Sequence, residues 1–259
     1  MLATGAVALG LSIGAFAQLG TGFTITDGDV VFSQGNSPTV NTSTGATGAN
    51  FRVNGAAGTD HLFQNWWWFR ANDETRESAF FNATGTVAAG NTATTSWTFP
   101  LFNAALTYVA TDTGLNVGQV TETMVITNTS PAELRLNLYN YTDYDVAATA
   151  GSDSAVLSGA GLMTITDGPW TAQFGAAGAS AYQVTSFATV RGLLANALVD
   201  NLNNTGLPFG PGDFTGAFQW TLTIPGGGTA TFSERLAIVP EPSALALLAI
   251  GGLAFIRRR

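Results

Sequence analysis

Cysteine and lysine are absent from the 259 residues, and histidine occurs once, as His61. Without cysteine there can be no disulfide, no thiolate nucleophile and no cysteine-ligated metal. A single histidine excludes any site needing two from one chain, including a histidine-rich zinc site and the HExxH pattern. Charge is also scarce: Asp, Glu, Lys and Arg make up 10% of the chain, against about a quarter in ordinary globular proteins. All nine basic residues are arginine, three of them at positions 257–259, and the net charge is −8. So acidic a body offers no basic face for nucleic acid.

Hydrophobic residues reach 46%, which rules against a disordered chain. With so few charges, the surface must be covered by Thr, Asn, Ser and Gly. The length fits one large all-β domain or two small domains.

Both ends read as addresses rather than fold. Residues 1–17 are uncharged and apolar apart from Thr4 and Ser12, and end in Ala15-Phe16-Ala17 before Gln18. The stretch is short for a membrane span and closes on an A-x-A-like peptidase site, so it is expected to be a signal peptide, although a basic n-region is missing. The alternative is a buried hydrophobic strand or helix. At the other end stand Pro240, Glu241 and Pro242, then an almost wholly aliphatic or Gly run over 244–256, then Arg257, Arg258 and Arg259. Two prolines around one acid make a stiff, extended peptide that a membrane enzyme could grip. The apolar run gives about 20 Å of helix, short of the roughly 30 Å hydrocarbon core, which suits a temporary anchor. The arginines would stay on the cytoplasmic side.

This tripartite tail resembles the PEP-CTERM sorting domain. The resemblance implies an exported protein of a Gram-negative bacterium. It would be recognised and processed by an exosortase-type enzyme at the inner membrane and then kept at the cell surface or in the extracellular matrix. It also implies a producer of extracellular polysaccharide, a possible partner. The tail covers about a tenth of the chain, and the alternative is an ordinary short tail anchor.

Between the ends the text is strand and turn. Thr121, Thr123, Val125 and Thr127 alternate with Glu122, Met124, Ile126 and Asn128; Leu134, Leu136 and Leu138 alternate with Arg135, Asn137 and Tyr139. With Asn128-Thr129-Ser130-Pro131 as a turn, the pair is expected to form a hairpin or adjacent antiparallel strands. Further strands are expected at 23–25, 30–32, 95–99, 106–110, 162–166, 171–174, 218–224 and 229–238, the last two joined by a Gly226-Gly227-Gly228 hairpin turn. Apolar residues at helical spacing predict a helix over 186–203, closed by Asn203-Asn204-Thr205-Gly206. The expected fold is all-β, a large antiparallel β-sandwich over 18–237, flanked by an N-terminal signal helix (1–17) and a sorting signal (238–259) comprising the motif 240–242, a short transmembrane helix 243–256 and the basic tail 257–259.

Two clusters carry candidate chemistry. Half of the six tryptophans are consecutive, Trp66, Trp67 and Trp68, close to Arg70. On a strand Trp66 and Trp68 share one face and Trp67 takes the other. An exposed ring beside polar groups would stack on a sugar; the plainer reading is that all three fill core layers. Nearby His61 could pair with Asp60, Asp73 or Glu77 for acid–base work, but no nucleophile motif is present, and paired carboxylates for glycoside hydrolysis cannot be recognised without their separation. The second cluster is Asp143 and Asp145, an oxygen-rich pair of the kind calcium prefers, or simply solvated strand-end acids. No other cofactor is expected. The reading is therefore a non-enzymatic, exported, structural or adhesive protein of an exopolysaccharide matrix or biofilm. The alternatives are a carbohydrate-binding module using Trp66–Trp68 and a secreted glycan-active hydrolase.

Overall fold

The computed structural model describes residues 22–35, 48–187 and 189–239. The expected signal helix at 1–17, the motif at 240–242, the helix at 243–256 and the basic tail at 257–259 lie outside the described residues. Among the described residues no helix is long and apolar enough to cross a membrane.

The chain opens with strands β1 (Phe23–Asp27), β2 (Val30–Gln34) and β3 (Ala49–Arg52). Next come β4 (Leu62–Ala71), β5 (Ser78–Ala79), β6 (Gly85–Ala89), β7 (Thr92–Thr98), β8 (Phe102–Gly114), β9 (Val117–Asn128) and β10 (Leu134–Tyr144). After a turn at Val146–Ala148 follow β11 (Asp153–Gly159), β12 (Leu162–Asp167), β13 (Trp170–Ala176) and β14 (Ala181–Ser186). Helix α1 (Thr189–Ala195) precedes β15 (Phe209–Gly212), β16 (Phe214–Ile224) and β17 (Thr229–Val239). Three antiparallel sheets result: β1-β2-β3, β14-β16-β10-β4-β5, and β15-β11-β12-β13-β17-β9-β8-β7-β6.

Period-two alternation explains the large sheets. Along β9 every second residue is buried, so Val120, Glu122, Met124 and Ile126 point inward while the threonines between them point out. From the five-stranded sheet, Trp67, Leu134, Leu136, Leu138 and Trp220 join those side chains in one apolar interior with Phe232 and Leu236 of β17. In β10 the alternation stops at Leu138, and from there both faces are buried. The outer face is covered by a second apolar cluster in which Trp68, Tyr139 and Tyr141 meet Val190 and Leu194 of α1.

The strands expected from the sequence form, but the two expected hairpins do not. β9 pairs with β8 and β17, whereas β10 pairs with β4 and β16. The turn at 128–131 is a corner between sheets, and so is Gly226-Gly227-Gly228, which carries the chain from β16 to β17. The reason is facial: each partner has one apolar side, and both sides are satisfied when they look at each other across the interior. Asn128 holds the two corners together. Its buried amide donates to the carbonyls of Ala132 (2.8 Å), Ile224 (3.0 Å) and Pro225 (3.1 Å), and its Oδ1 accepts from the Ser130 amide at 2.9 Å. Gly226 passes so close that a Cβ there would lie 2.2 Å from the Pro131 carbonyl oxygen. Replacing Asn128 by Ala removes the shared donor of both corners, although the Ala132 carbonyl keeps the Ser130 hydroxyl and the Pro225 carbonyl keeps the Gly228 amide. It should cost about 1–3 kcal/mol in chemical denaturation; a loss below about 0.5 kcal/mol would show that the corner holds without the amide.

A polar group lies within the interior. Glu122 and Glu234 face each other across the β9–β17 ladder and are fully buried. Asn65 and Trp67 reach over from β4, and each donates to a Glu122 carboxyl oxygen at 2.6 Å. Asn140 in turn donates to Asn65 at 3.0 Å. No arginine pairs with either acid among the described ion pairs. Burial raises Glu122 from 4.5 to about 7, and burial together with Glu122 raises Glu234 well above the ordinary carboxylate range. Burial first, and then the same two acids, push the Tyr108 and Tyr144 phenols upward. Because these carboxyls are ordinary in the unfolded chain, folding takes up protons above about pH 4.5, and stability falls as pH rises through 7. The melting temperature should be highest near pH 5 and drop by pH 8. Glu234→Gln, which puts an amide donor beside Glu122, should shrink that drop. A wild-type melting temperature that climbs from pH 5 to pH 8 would contradict a protonated pair.

Candidate functional site

β4 is the second strand of the five-stranded sheet, paired with β10 on one side and β5 on the other. From Gln64 to Ala71 its odd residues face the interior and its even residues the cover formed by α1 and the chain after it, while a register shift at the start of the strand turns Leu62 inward. Trp67 is 1% exposed, stacks on Trp220 at 5.5 Å and gives its indole hydrogen to Glu122. Trp68 is 2% exposed and sits edge-on to Tyr141 at 5.8 Å. Trp66, on the same face, is half-buried against that cluster. Neither Trp67 nor Trp68 presents a ring to solvent, because both sides of β4 are covered. A glycan-stacking platform there would rest on Trp66 alone.

Arg70 is likewise inside. It is ion-paired with Glu77, donates to the Asp200 carbonyl at 2.9 Å and donates to Asn201 Oδ1 at 2.8 Å. These bonds explain why the helix expected over 186–203 runs only over Thr189–Ala195. Asn196 accepts from the Leu198 amide at 2.6 Å and donates to Asp200 at 2.7 Å, turning the chain back so that it closes on Arg70. The sequence pattern contained the apolar spacing but nothing of this distant arginine. Replacing Arg70 by Met leaves Glu77 buried and unpaired, which should cost about 3–5 kcal/mol and expose 196–204 to limited proteolysis. Adding Glu77→Gln should restore part of the loss; no recovery in the double variant would mean that packing, not charge, holds the segment.

His61 and its expected partners are dispersed. The ring is buried against Trp170 at 4.5 Å, Nδ1 accepts from the Ala147 amide at 3.2 Å, and burial lowers its pKa to about 4. Asp60 pairs with Arg52 (2.7 Å), Asp73 with Arg135 (2.8 Å) and Glu77 with Arg70.

The second cluster is brought together and enlarged. Asp143 lies near the end of β10 on its outer face, the side of Tyr141. Asp145 begins the turn after it, and Asp213 immediately precedes β16. One carboxylate oxygen from each lies within 4.8 Å of the others. Asp143 is fully buried; burial first, then Asp145 and Asp213, push its pKa well up. Burial and Asp213 raise Asp145 to about 6. Beyond them Asp153, also buried, is raised to about 8 by burial, Asp167 and Asp145. Asp213 stands 68 positions from Asp145 in the sequence, and only the pairing of β16 with β10, which sets Thr215 opposite Asp143, joins them.

The C-terminal residues 239–259 match the model of the PEP-CTERM protein-sorting motif. The chain carries a PEP-CTERM sorting signal. Such a signal implies an exported, extracellular or cell-surface protein of a Gram-negative bacterium, handled by an exosortase. Among curated proteins no sequence matches this PEP-CTERM protein. Among solved structures it is similar to a polysaccharide lyase, with 8% identity and a TM-score of 0.49 over 85% of this chain and 34% of the other. It is also similar to a bacterial glucoamylase complexed with acarbose, with 9% identity and a TM-score of 0.43 over 87% of this chain and 32% of the other. The chain thus spans about a third of the length of these two proteins, and at such identities the likeness concerns the arrangement of strands alone.

Proposed function

We propose that the body is a non-catalytic β-sandwich, cut from its tail by an exosortase and held at the cell surface or in the extracellular polysaccharide, where its role is structural and adhesive. The sorting motif carries the first half of this reading. It begins at Val239, the last residue of β17. In native cells the intact mass of the mature protein should show the tail beyond the motif removed, and Glu241→Ala should leave a membrane-bound chain still ending in Arg259. A wild-type mature chain ending in Arg259 would sink the reading.

The outer face of the large sheet supports the adhesive half. Thr94, Thr107, Thr123 and Ser233 lie opposite one another in one row across β7, β8, β9 and β17. Thr98, Asn103, Thr127 and Thr229 form another. Hydroxyls approach between strands, 3.0 Å for Thr94 and Thr107. Arg235 lies among these rows, in line with Thr121, Val109 and Thr92, while Glu122 and Glu234 point inward and Asp112 sits at the end of β8, bonded to the Asp29 amide. A flat surface of neutral hydroxyls exchanges hydrogen bonds readily with a neutral hydroxyl-rich polymer and repels charged ones little. In native gels the producing organism's own polysaccharide should retard the wild-type protein, and Thr107→Glu with Thr123→Glu should abolish the retardation without altering circular dichroism. Equal retardation of wild type and variant would move the contact elsewhere.

A further inference from the structure

We propose that Asp143, Asp145 and Asp213 form a binding site for one hard divalent cation of the calcium class. The first ground is geometric. One carboxylate oxygen from each lies within 4.8 Å of the others, so a single ion can sit within about 2.8 Å of all three, and a small side-chain adjustment brings them to about 2.4 Å, the length of a calcium–oxygen bond. Magnesium, at about 2.0–2.1 Å, has strict octahedral demands and gives up its water reluctantly, so three converging carboxylates suit it less well. All three donors are oxygen, with neither sulfur nor imidazole in the group, which excludes a zinc-type preference.

The second ground is independent of the clustering. Asp143 is fully buried, yet its Oδ1 has no hydrogen-bond partner. Its Oδ2 has only the Tyr141 hydroxyl, at 3.4 Å. A buried carboxylate oxygen without a donor is costly unless a cation or proton meets it. Protein cations do not meet it: none of the three acids belongs to an ion pair among the described residues. Arg191 is the arginine that acts on Asp143, but its guanidinium donates to Gln64 at 3.3 Å and lies 5.6 Å from the Phe187 ring. Nor does the turn use Asp145, whose side chain caps nothing at Val146–Ala148. Carbonyls and water would complete the six to eight ligands that calcium takes.

The ion would tie the end of β10, the turn that follows it and the start of β16. Calcium binding therefore stabilises the fold. With the full chain at constant ionic strength and pH 7.5, calcium chloride should raise the melting temperature saturably, by roughly 5–10 °C at a hundredfold excess over the dissociation constant. Titration calorimetry should give one site, and magnesium should bind at least tenfold more weakly. Asp213→Asn removes a ligand and one of three crowded charges. The variant should melt higher than wild type without calcium and respond to calcium no more than to sodium chloride. Glu133→Gln, an exposed acid at the far end of β10, should keep the full response. The proposal is overturned by the absence of saturable calcium binding to the wild type, or by an Asp213→Asn protein that folds and still binds calcium with unchanged affinity.

Discussion

The amide of Asn128 clasps the two places where the chain leaves one sheet for the other. Three carbonyls, from two corners nearly a hundred residues apart, converge on its nitrogen. This clasp fixes the face on which each sheet meets its neighbour. A slip by one residue would turn every side chain of a strand to the opposite side. Much else follows from that phase. Trp67 faces the interior between the sheets while Trp66 and Trp68 face the cover formed with α1, Glu122 meets Asn65, and Asp143 falls on the same side as Tyr141.

Local pattern made most of the strands legible. Alternation in 121–128 and 134–138 located β9 and β10, and the glycine run before Thr229 located the last turn. What local pattern could not carry was partnership. Two amphipathic strands joined by a short polar turn look alike whether they lie side by side or face to face, and here they face. Tryptophans at 66–68 were ambiguous for a related reason: a strand covered on both sides reads as a mixture of apolar and polar residues, and the cover comes from α1, over a hundred positions away. Asp143 and Asp145 were recognisable as neighbours on β10 and its end, whereas Asp213 entered the cluster only through the ladder between β10 and β16. Glu122 carried no signal of its own, since a lone acid in an alternating strand ordinarily faces water.

Acidity is handled in two ways in this molecule. The pair Glu122 and Glu234 is sealed in the interior, where amide and indole donors and a retained proton keep it compatible with its surroundings. The trio at the end of β10 stands in a partly open place, with few donors and no paired arginine. With six arginines in the body, three of them committed to ion pairs, the chain has little positive charge to spend on its acids. Protons and external cations take that part instead, which makes the surroundings of an exported protein part of its chemistry.

β17 lies in the middle of the nine-stranded sheet, between β13 and β9, although it is the last of the described strands in chain order. Until it arrives, β6 to β9 and the β11–β13 group with β15 are separate half-sheets with open edges. Its far end also leads straight into the sorting motif. The large sheet is therefore complete only when residues 229–239 have taken their place between β13 and β9. One strand thus acts both as the keystone of the large sheet and as the immediate neighbour of the sorting motif.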